Sequence, residues 1–332
     1  MKKITIFFVA AVLALCALAG CGKKDDNKIR LIEVTRSVFY APQYLALADG
    51  YFTEQGLEVE LTTAAGSNEC MTAVLSGGAD IGLQGPETAV YVVAEGKKDF
   101  PIIFGQLTKR DGSFLVGRTQ DPDFSYDKVK NTEVLAGRVG GMPNMTLQWV
   151  LKNNNVFGGV NVTLNTEVAF ANMFPAFIGG QGEYVALFEP LASEVERQGK
   201  GYIVASIGAD SGEVPYTAYI AAGSYLKDKA ETAEKFLAAV YKAMTTIKTM
   251  PAAEVAAKIL GYFPGSTVEQ ITAAVERYVA IDAWMSDPVM KRDAFERMQS
   301  IMENAGQLPD GRAEYDKVVD NTIAQKLIDA KK

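Results

Sequence analysis

Short apolar segments alternate with amphipathic ones along most of the chain, in an order typical of alternating strands and helices. In the first third, apolar or alternating runs that end at a turn predict strands over 29–34, 57–61 and 79–83. A helix is predicted after each strand, and Pro42 and Ser67 are residue types favoured at helix starts. This alternation predicts a mainly parallel sheet with helices on both faces.

The same order of elements is repeated in the middle of the chain. Apolar runs there predict strands over 101–107, 113–116, 134–140, 184–188, 201–207 and 216–221. Helices are predicted to begin at Pro143 and Pro190. The sequence therefore predicts two open α/β units in one chain.

From Lys227 onward the pattern is almost entirely helical. Phe236, Val240, Met244 and Ile247 form one apolar stripe at helical spacing. We expect this stripe to be buried against the first sheet; the alternative is a surface that docks a partner. Farther on, residues 266 and 269 have the spacing of a capping box, which predicts the start of another packing helix.

Two α/β units joined by extended segments enclose a cleft, and open sheets bind ligands beyond the carboxyl ends of their strands. Four predicted helices that follow strands carry a proline at or near their first position: Pro42, Pro86, Pro143 and Pro190. Helix starts present unpaired N–H groups and a positive dipole end. If these starts converge, they can hold a small polar solute without any catalytic residue.

Composition then narrows the possible chemistry. The 332 residues include no histidine, which excludes imidazole as a base, nucleophile or metal ligand. A net charge of -7 gives no reason to expect a nucleic-acid partner. Three cysteines are too few for a disulfide-rich scaffold or a four-thiolate metal site. We therefore expect a binding protein with no catalytic residue, metal or cofactor.

The N-terminus has the order of a secretory signal. Two lysines precede an apolar run over 4–19, which is shorter than the roughly 20 residues of a membrane-spanning helix. The run ends in LAGC at residues 18–21, which resembles the lipobox of bacterial lipoproteins. That resemblance implies a signal peptide over 1–20 and lipid attachment at Cys21, followed by a polar tether over 21–28. The alternative is an uncleaved signal anchor.

Several segments resemble solute-binding proteins of the nitrate, taurine, sulfonate and thiamine-pyrimidine-precursor group. They are VTRSVFYAPQYLA at 34–46, GYFTEQGLEV at 50–59, AVLSGGADIG at 73–82 and FEP at 188–190. The resemblance implies a type II periplasmic-binding-protein fold: two α/β lobes around a central cleft, two crossing segments and C-terminal packing helices. It also implies delivery of a captured solute to a membrane permease powered by an ABC-type ATPase.

The fold implied by this resemblance also sets the expected lobe boundaries. The chain would cross between the lobes near 108–111 and again near 215–219. Lobe 1 is then expected to comprise 29–109 and 217–332, and lobe 2 the insert 110–216. We expect a monomer tied to the cell membrane by its lipid and facing the extracellular or periplasmic side.

The candidate ligand-binding residues lie in the loops that follow the predicted strands. They are Ser37, Phe39, Tyr40, Ser67, Asn68, Glu87, Arg110, Met142, Asn144, Phe170, Asn172 and Glu189. Phe39 and Tyr40 can clamp a planar ligand by stacking, or they can be ordinary core aromatics. Glu87 and Glu189 can accept hydrogen bonds from amino groups, or they can complement a helix dipole.

These candidates favour an amino-bearing planar heterocycle such as a pyrimidine. The alternative is a small oxyanion such as a sulfonate, taurine or nitrate, which becomes plausible if Lys109 and Arg110 turn into the cleft. Two further alternatives are a sensory lipoprotein without a transporter and an enzyme resembling the pyrimidine synthases of this fold. Those synthases are cytoplasmic and rely on histidine, which argues against catalysis here.

Overall fold

The computed structural model describes residues 27–96 and 98–331. The predicted signal peptide over 1–20, the predicted lipid-attachment residue Cys21 and most of the predicted tether over 21–28 lie outside the described residues. Within the described part of the chain, no helix is long and apolar enough to cross a membrane.

The first sheet has five strands in the order β2-β1-β3-β10-β4. Their bounds are β1 Lys28–Glu33, β2 Glu58–Thr63, β3 Ile81–Gln84, β4 Pro101–Thr108 and β10 Thr217–Ala222. Four of them run in one direction, and β10 runs antiparallel between β3 and β4. The chain comes back from the second sheet into the first as β10, which lies between β3 and β4.

The second sheet repeats this plan with the order β7-β6-β8-β5-β9. Its strands are β5 Ser113–Gly117, β6 Glu133–Leu135, β7 Thr163–Asn165, β8 Tyr184–Phe188 and β9 Tyr202–Ser206. Here β5, the first strand after the chain leaves the first sheet, is antiparallel to its neighbours β8 and β9. The predicted pair of mainly parallel α/β sheets is confirmed.

Helices cover these sheets and extend the C-terminal part of lobe 1. They are α1 Ala41–Ala48, α2 Tyr51–Glu54, α3 Ser67–Leu75, α4 Glu87–Ala94, α5 Met142–Asn153, α6 Met173–Ile178, α7 Leu191–Arg197, α8 Ile207–Ser211, α9 Gly223–Asp228, α10 Ala230–Thr246, α11 Ala252–Ile259, α12 Val268–Ala280, α13 Arg292–Asn304, α14 Tyr315–Val318 and α15 Thr322–Asp329. Four 3-10 helices lie at Val38–Tyr40, Tyr126–Val129, Phe170–Asn172 and Leu260–Tyr262.

The apolar stripe predicted in the C-terminal part is buried on α10. Phe236, Val240 and Met244 have no exposed surface. Phe236 packs edge-on against Tyr219 of β10 with ring centroids 5.1 Å apart, so the stripe covers the first sheet as predicted. This result excludes the stripe as a partner-docking surface.

Two helix starts differ from the sequence prediction by one residue. Gly66, rather than Ser67, is the N-cap of α3, and glycine has no side chain that could cap the helix. The capping box of α12 is made by Thr267 and Gln270, whose side chains bond each other's backbone N–H groups. The predicted box at 266 and 269 is therefore wrong by one position.

The two sheets are joined at two segments that lie side by side. One runs from β4 to β5 over 109–112, and the other runs from α8 to β10 over 212–216. The Val214 N–H donates to the Lys109 carbonyl at 2.8 Å, and the hydroxyls of Thr108 and Thr217 are 2.5 Å apart. The strands of the first sheet precede the first crossing or follow the second, and the strands of the second sheet lie between the two crossings. We therefore propose 29–109 with 217–332 as lobe 1 and 110–216 as lobe 2.

Candidate functional site

A cavity of about 160 Å³ lies between the two lobes. From lobe 1 it is reached by the residues that follow β1, β2 and β3, and from lobe 2 by those that follow β6 and β7 and by the end of β8. This is the edge where open α/β sheets bind ligands. Its lining includes Val34, Thr35, Ala65, Gly66, Gly85, Gly137, Arg138, Gly141, Pro143, Phe188, Tyr216 and Thr217.

Seven of the twelve predicted ligand residues also line this cavity. They are Tyr40, Ser67, Asn68, Glu87, Met142, Asn144 and Phe170. Tyr40, Glu87, Met142 and Asn144 are buried, and Asn68 is exposed at the rim. Their contact with a ligand stays a prediction, but the fold brings residues from five separate loops to one place.

Four helices begin at this cavity. Tyr40 is the N-cap of α1, Gly66 that of α3 and Gly141 that of α5, while Glu87 is the first residue of α4. None of these starts has a side-chain cap. These starts are not left entirely open, however, because the Ala41 N–H of α1 and the Thr88 and Ala89 N–H groups of α4 donate to nearby backbone carbonyls. Of the four helix starts predicted from a proline, three converge at the cavity. The start at Pro190 does not, because Pro190 does not line the cavity.

Glu87 is the most buried charge in the lining. It is 1% exposed, and neither carboxylate oxygen has a hydrogen-bond partner among the described residues. The side chain folds back over Gly85, where a Cβ would lie 2.0 Å from Glu87 Oε2. Burial raises the pKa of Glu87 to about 7, although the charge of Arg138 and the Met142 N–H act in the opposite direction.

Aromatic rings form another part of the lining. Phe170 and Phe188 meet with ring centroids 5.1 Å apart, and Phe188 lies 6.1 Å from the ring of Tyr216. The Tyr40 hydroxyl is buried without a partner among the described residues, whereas the Tyr216 hydroxyl lies beside the Asp111 carboxylate. These rings can cover a flat solute, and the Tyr40 hydroxyl can donate or accept.

Asn144 lines the cavity with its amide already engaged. Its Nδ2 donates weakly to the Ala136 and Gly137 carbonyls at 3.4 and 3.3 Å. Its Oδ1 accepts from Gln148 at 2.6 Å. The side chain therefore fixes the loop after β6 to the first turns of α5, and it can contact a solute without supplying the main polar group.

The structure gives Glu189 a role other than ligand contact. Its buried carboxylate pairs with the Arg277 guanidinium of α12 and accepts from the Ser193 hydroxyl at 2.9 Å and the Ser193 N–H at 3.0 Å. A carboxylate with these partners has little capacity left for a solute, and Glu189 is absent from the cavity lining. The predicted ligand role is therefore replaced by an ion pair between the lobes.

Ser37 and Phe39 belong to the junction between the lobes rather than to the cavity lining. The Ser37 hydroxyl donates to the Glu189 carbonyl at 2.6 Å. The Phe39 ring packs 5.3 Å from Phe188 and 5.1 Å from Tyr278, and it covers Gly112 so closely that a Cβ there would lie 2.6 Å from the ring. Of the two roles considered for Phe39, the structure favours the core aromatic.

The last two predicted residues also lie outside the lining. Asn172 is exposed at the end of a 3-10 helix. Arg110 is half-buried in the first crossing segment, and its Nε has no partner among the described residues. Its neighbour Lys109 pairs with Asp282 through Nζ, 2.5 Å from the carboxylate, so neither cation supports an oxyanion site in the way considered from the sequence.

Arg138 and Tyr216 are lining residues that sequence reasoning missed. Arg138 stands in a run predicted as strand, but β6 ends at Leu135 and the chain turns toward the cavity over 136–141. The glycines at 137 and 140 have positive φ angles of 72° and 75°, which end the strand. A basic residue enclosed by such glycines was the available signal. No group of three or more metal-ligating side chains is clustered among the described residues.

Comparison with known proteins points to one family. A sequence profile described as NMT1/THI5 like matches residues 38–254. The Bacillus subtilis (strain 168) protein YtlA, whose name describes it as a binding protein, is 40% identical over 324 residues, which is 97% of each chain.

Solved structures share the fold at low identity. The alkanesulfonate-binding protein SsuA from Xanthomonas axonopodis pv. citri, bound to MOPS, has a TM-score of 0.72 at 15% identity and covers 89% of this chain and 99% of its own. The ligand-binding component of an ABC-type import system from Staphylococcus aureus, solved with zinc, has a TM-score of 0.72 at 13% identity, covering 91% and 99%. The two-lobe type II periplasmic-binding-protein fold is thereby confirmed.

Proposed function

Because the chain belongs to the NMT1/THI5 like family, we propose that it is the solute-binding protein of an ABC-type importer. The observation that carries this proposal is the cavity enclosed by both lobes, with buried polar atoms that have no partner among the described residues. A solute that contacts both lobes stabilises their closed arrangement, and the closed form is what a permease would receive. The import component and the sulfonate-binding protein described above support the same role by analogy of fold.

We propose an amino-bearing planar heterocycle, such as a pyrimidine, as the solute class. Tyr40, Phe170, Phe188 and Tyr216 supply ring surface, and the Glu87 carboxylate can accept hydrogen bonds from amino groups. A small oxyanion is the second candidate, and Arg138 in the lining is the observation that favours it.

We also propose that the protein acts outside the cytoplasm, held to the membrane by lipid on Cys21 after removal of residues 1–20. The support is the lipobox-like sequence at 18–21 and the polar segment that follows it. Sensing without transport is the alternative role. Stimulation of a reconstituted permease and ATPase by the loaded protein supports import, and its absence supports sensing.

A thermal-unfolding panel tests the solute class. Purified protein is mixed with pyrimidines, aliphatic sulfonates, nitrate and amino acids, and a true ligand at 100 times its dissociation constant adds about 2.7 kcal/mol to the free energy of unfolding. Phe170→Ala should weaken binding of a planar ligand by about 1 kcal/mol because a stacking surface is lost. Asn172→Ala is the control, since Asn172 lies nearby but outside the lining.

Two results together would refute the binding role. One is that no compound in the panel raises the unfolding temperature. The other is that denaturing the purified protein releases no small molecule detectable by mass spectrometry.

A further inference from the structure

Two groups of opposite charge face the cavity from opposite lobes. Glu87 enters from lobe 1 at the start of α4, and Arg138 enters from lobe 2 on the loop between β6 and α5. Both oxygens of Glu87 and Nη2 of Arg138 are buried without hydrogen-bond partners among the described residues. The other terminal nitrogen of Arg138 donates to the Val139 carbonyl at 3.2 Å, which holds the guanidinium in its loop.

The two groups do not satisfy each other. Arg138 is near enough to attract the charge of Glu87, yet no ion pair within 4.0 Å joins them in the described part of the chain. The buried Glu87 carboxylate has lost its water and gained no hydrogen-bond partner in return, and the half-buried Arg138 encloses Nη2 without one. Something that donates to Glu87 and accepts from Arg138 removes both costs at once.

We propose that the solute is dipolar, with N–H donors facing Glu87 and an oxygen acceptor facing Arg138, and that these two residues determine specificity. This inference rests on the proposed function and narrows it. An amino-oxo heterocycle and a small zwitterion both meet the requirement. A bare oxyanion leaves the ionised form of Glu87 unpaired, and a bare amine leaves Arg138 unpaired.

The size of the cavity limits the solute further. At about 10–15 Å³ for each water-sized probe, 160 Å³ corresponds to about 11–16 waters, so a solute of up to about that many non-hydrogen atoms fits. The free hydroxyl of Tyr40 can donate or accept, so it complements either end of a dipolar solute without choosing between the two.

Two matched probe series test this inference on the unmodified protein by titration calorimetry. The first compares cytosine with pyrimidin-2-one, which lacks the amino group, and with pyrimidin-4-amine, which lacks the oxygen. The second compares 4-aminobutyrate with butyrate and with butylamine. In the series that binds, the probe with both groups is expected to bind at least tenfold more tightly than either partial probe.

Two variants assign the discrimination to its residues. Glu87→Met should abolish the preference for the amino group and keep the preference for the oxygen, and Arg138→Met should do the reverse. Glu87→Gln and Arg138→Gln repeat the test with polar side chains in case a methionine variant fails to fold. Glu254→Gln and Arg292→Gln are exposed controls and should keep both preferences.

The inference is overturned if a partial probe binds as tightly as the complete one, or if the variants keep the discrimination. If no probe binds, the solute released from the denatured protein decides: one with both a donor and an acceptor supports the inference, and one lacking either overturns it. All of these results leave the proposed function standing. If nothing binds and nothing is released, both the inference and the proposed function fail.

Discussion

Glu87 should make the ligand-free protein less stable as the pH rises from 4.5 to 8. Burial holds its pKa at about 7, above the ordinary value of 4.5. The folded state then binds more protons than the unfolded state between these values, so the stabilisation is complete below about pH 4.5 and is lost as the pH rises through about 7. At about 1.4 kcal/mol for each pH unit, the loss is about 3 kcal/mol.

The variant Glu87→Gln isolates this contribution. Glutamine imitates the protonated side chain at every pH. The free energy of unfolding of the variant should therefore equal that of the parent protein near pH 4.5 and exceed it by about 3 kcal/mol at pH 8. Asp111, whose pKa burial raises to about 6, changes stability in the same direction. Because Asp111 is present in both the parent protein and the variant, its contribution cancels in the difference between their free energies of unfolding.

Urea unfolding at pH values from 4.5 to 8, followed by circular dichroism, measures that difference. Glu254→Gln is the control because Glu254 is exposed on α11. The difference in free energy of unfolding between this variant and the parent protein should not change with pH. A flat difference for Glu87→Gln as well would mean that the carboxylate has a partner or water in the folded state, and the argument for a solute donor at Glu87 would fail with it.

Three further substitutions have defined outcomes. Gly85→Ala places a Cβ 2.0 Å from Glu87 Oε2, so it should displace the carboxylate and lower solute affinity at least tenfold in calorimetry. Arg277→Gln leaves Glu189 buried without its cation and should cost about 2 kcal/mol in urea unfolding. Cys21→Ala should abolish incorporation of labelled fatty acid and shift the protein from the membrane fraction.

Each of these substitutions has a control or a contrary result. Gly261→Ala adds a Cβ in open space at an ordinary φ and should leave affinity unchanged. Arg292→Gln breaks an exposed ion pair and should cost less than about 1 kcal/mol. Three results would contradict these expectations. They are unchanged solute affinity in Gly85→Ala, unchanged stability in Arg277→Gln and retained fatty-acid labelling in Cys21→Ala.

Local pattern predicted the framework well because each strand carries its own signal. β8, for example, lies where its apolar run was predicted, at 184–188. β7 is only three residues long, with no buried residue, so periodicity could not reveal it. The short β6 was predicted too long, because the apolar run over 134–136 continues into the glycine-rich loop that carries Arg138.

The polar site was harder to predict than the framework because it depends on pairs distant in sequence. Glu87 and Glu189 both stand at helix starts after strands, and the sequence gives no reason to separate them. The difference lies in Arg277, which is 88 residues from Glu189 along the chain and reaches it only through the packing of α12. No comparable cation bonds Glu87 in the described structure, and this is why one carboxylate is structural and the other is open to a solute.

Glu87 and Arg138 also differ in what holds them in place. Glu87 is positioned within lobe 1 by its own loop, where the Thr88 hydroxyl donates to the Gly85 carbonyl at 2.7 Å. The loop of Arg138 contacts the other lobe, because the Tyr91 hydroxyl donates to the Gly140 carbonyl at 3.0 Å. Opening of the lobes would break that contact and leave the Glu87 loop intact. We therefore expect a solute to engage Glu87 before closure and Arg138 only as the lobes meet, so that the affinity added by Arg138 is part of the binding free energy that favours closure.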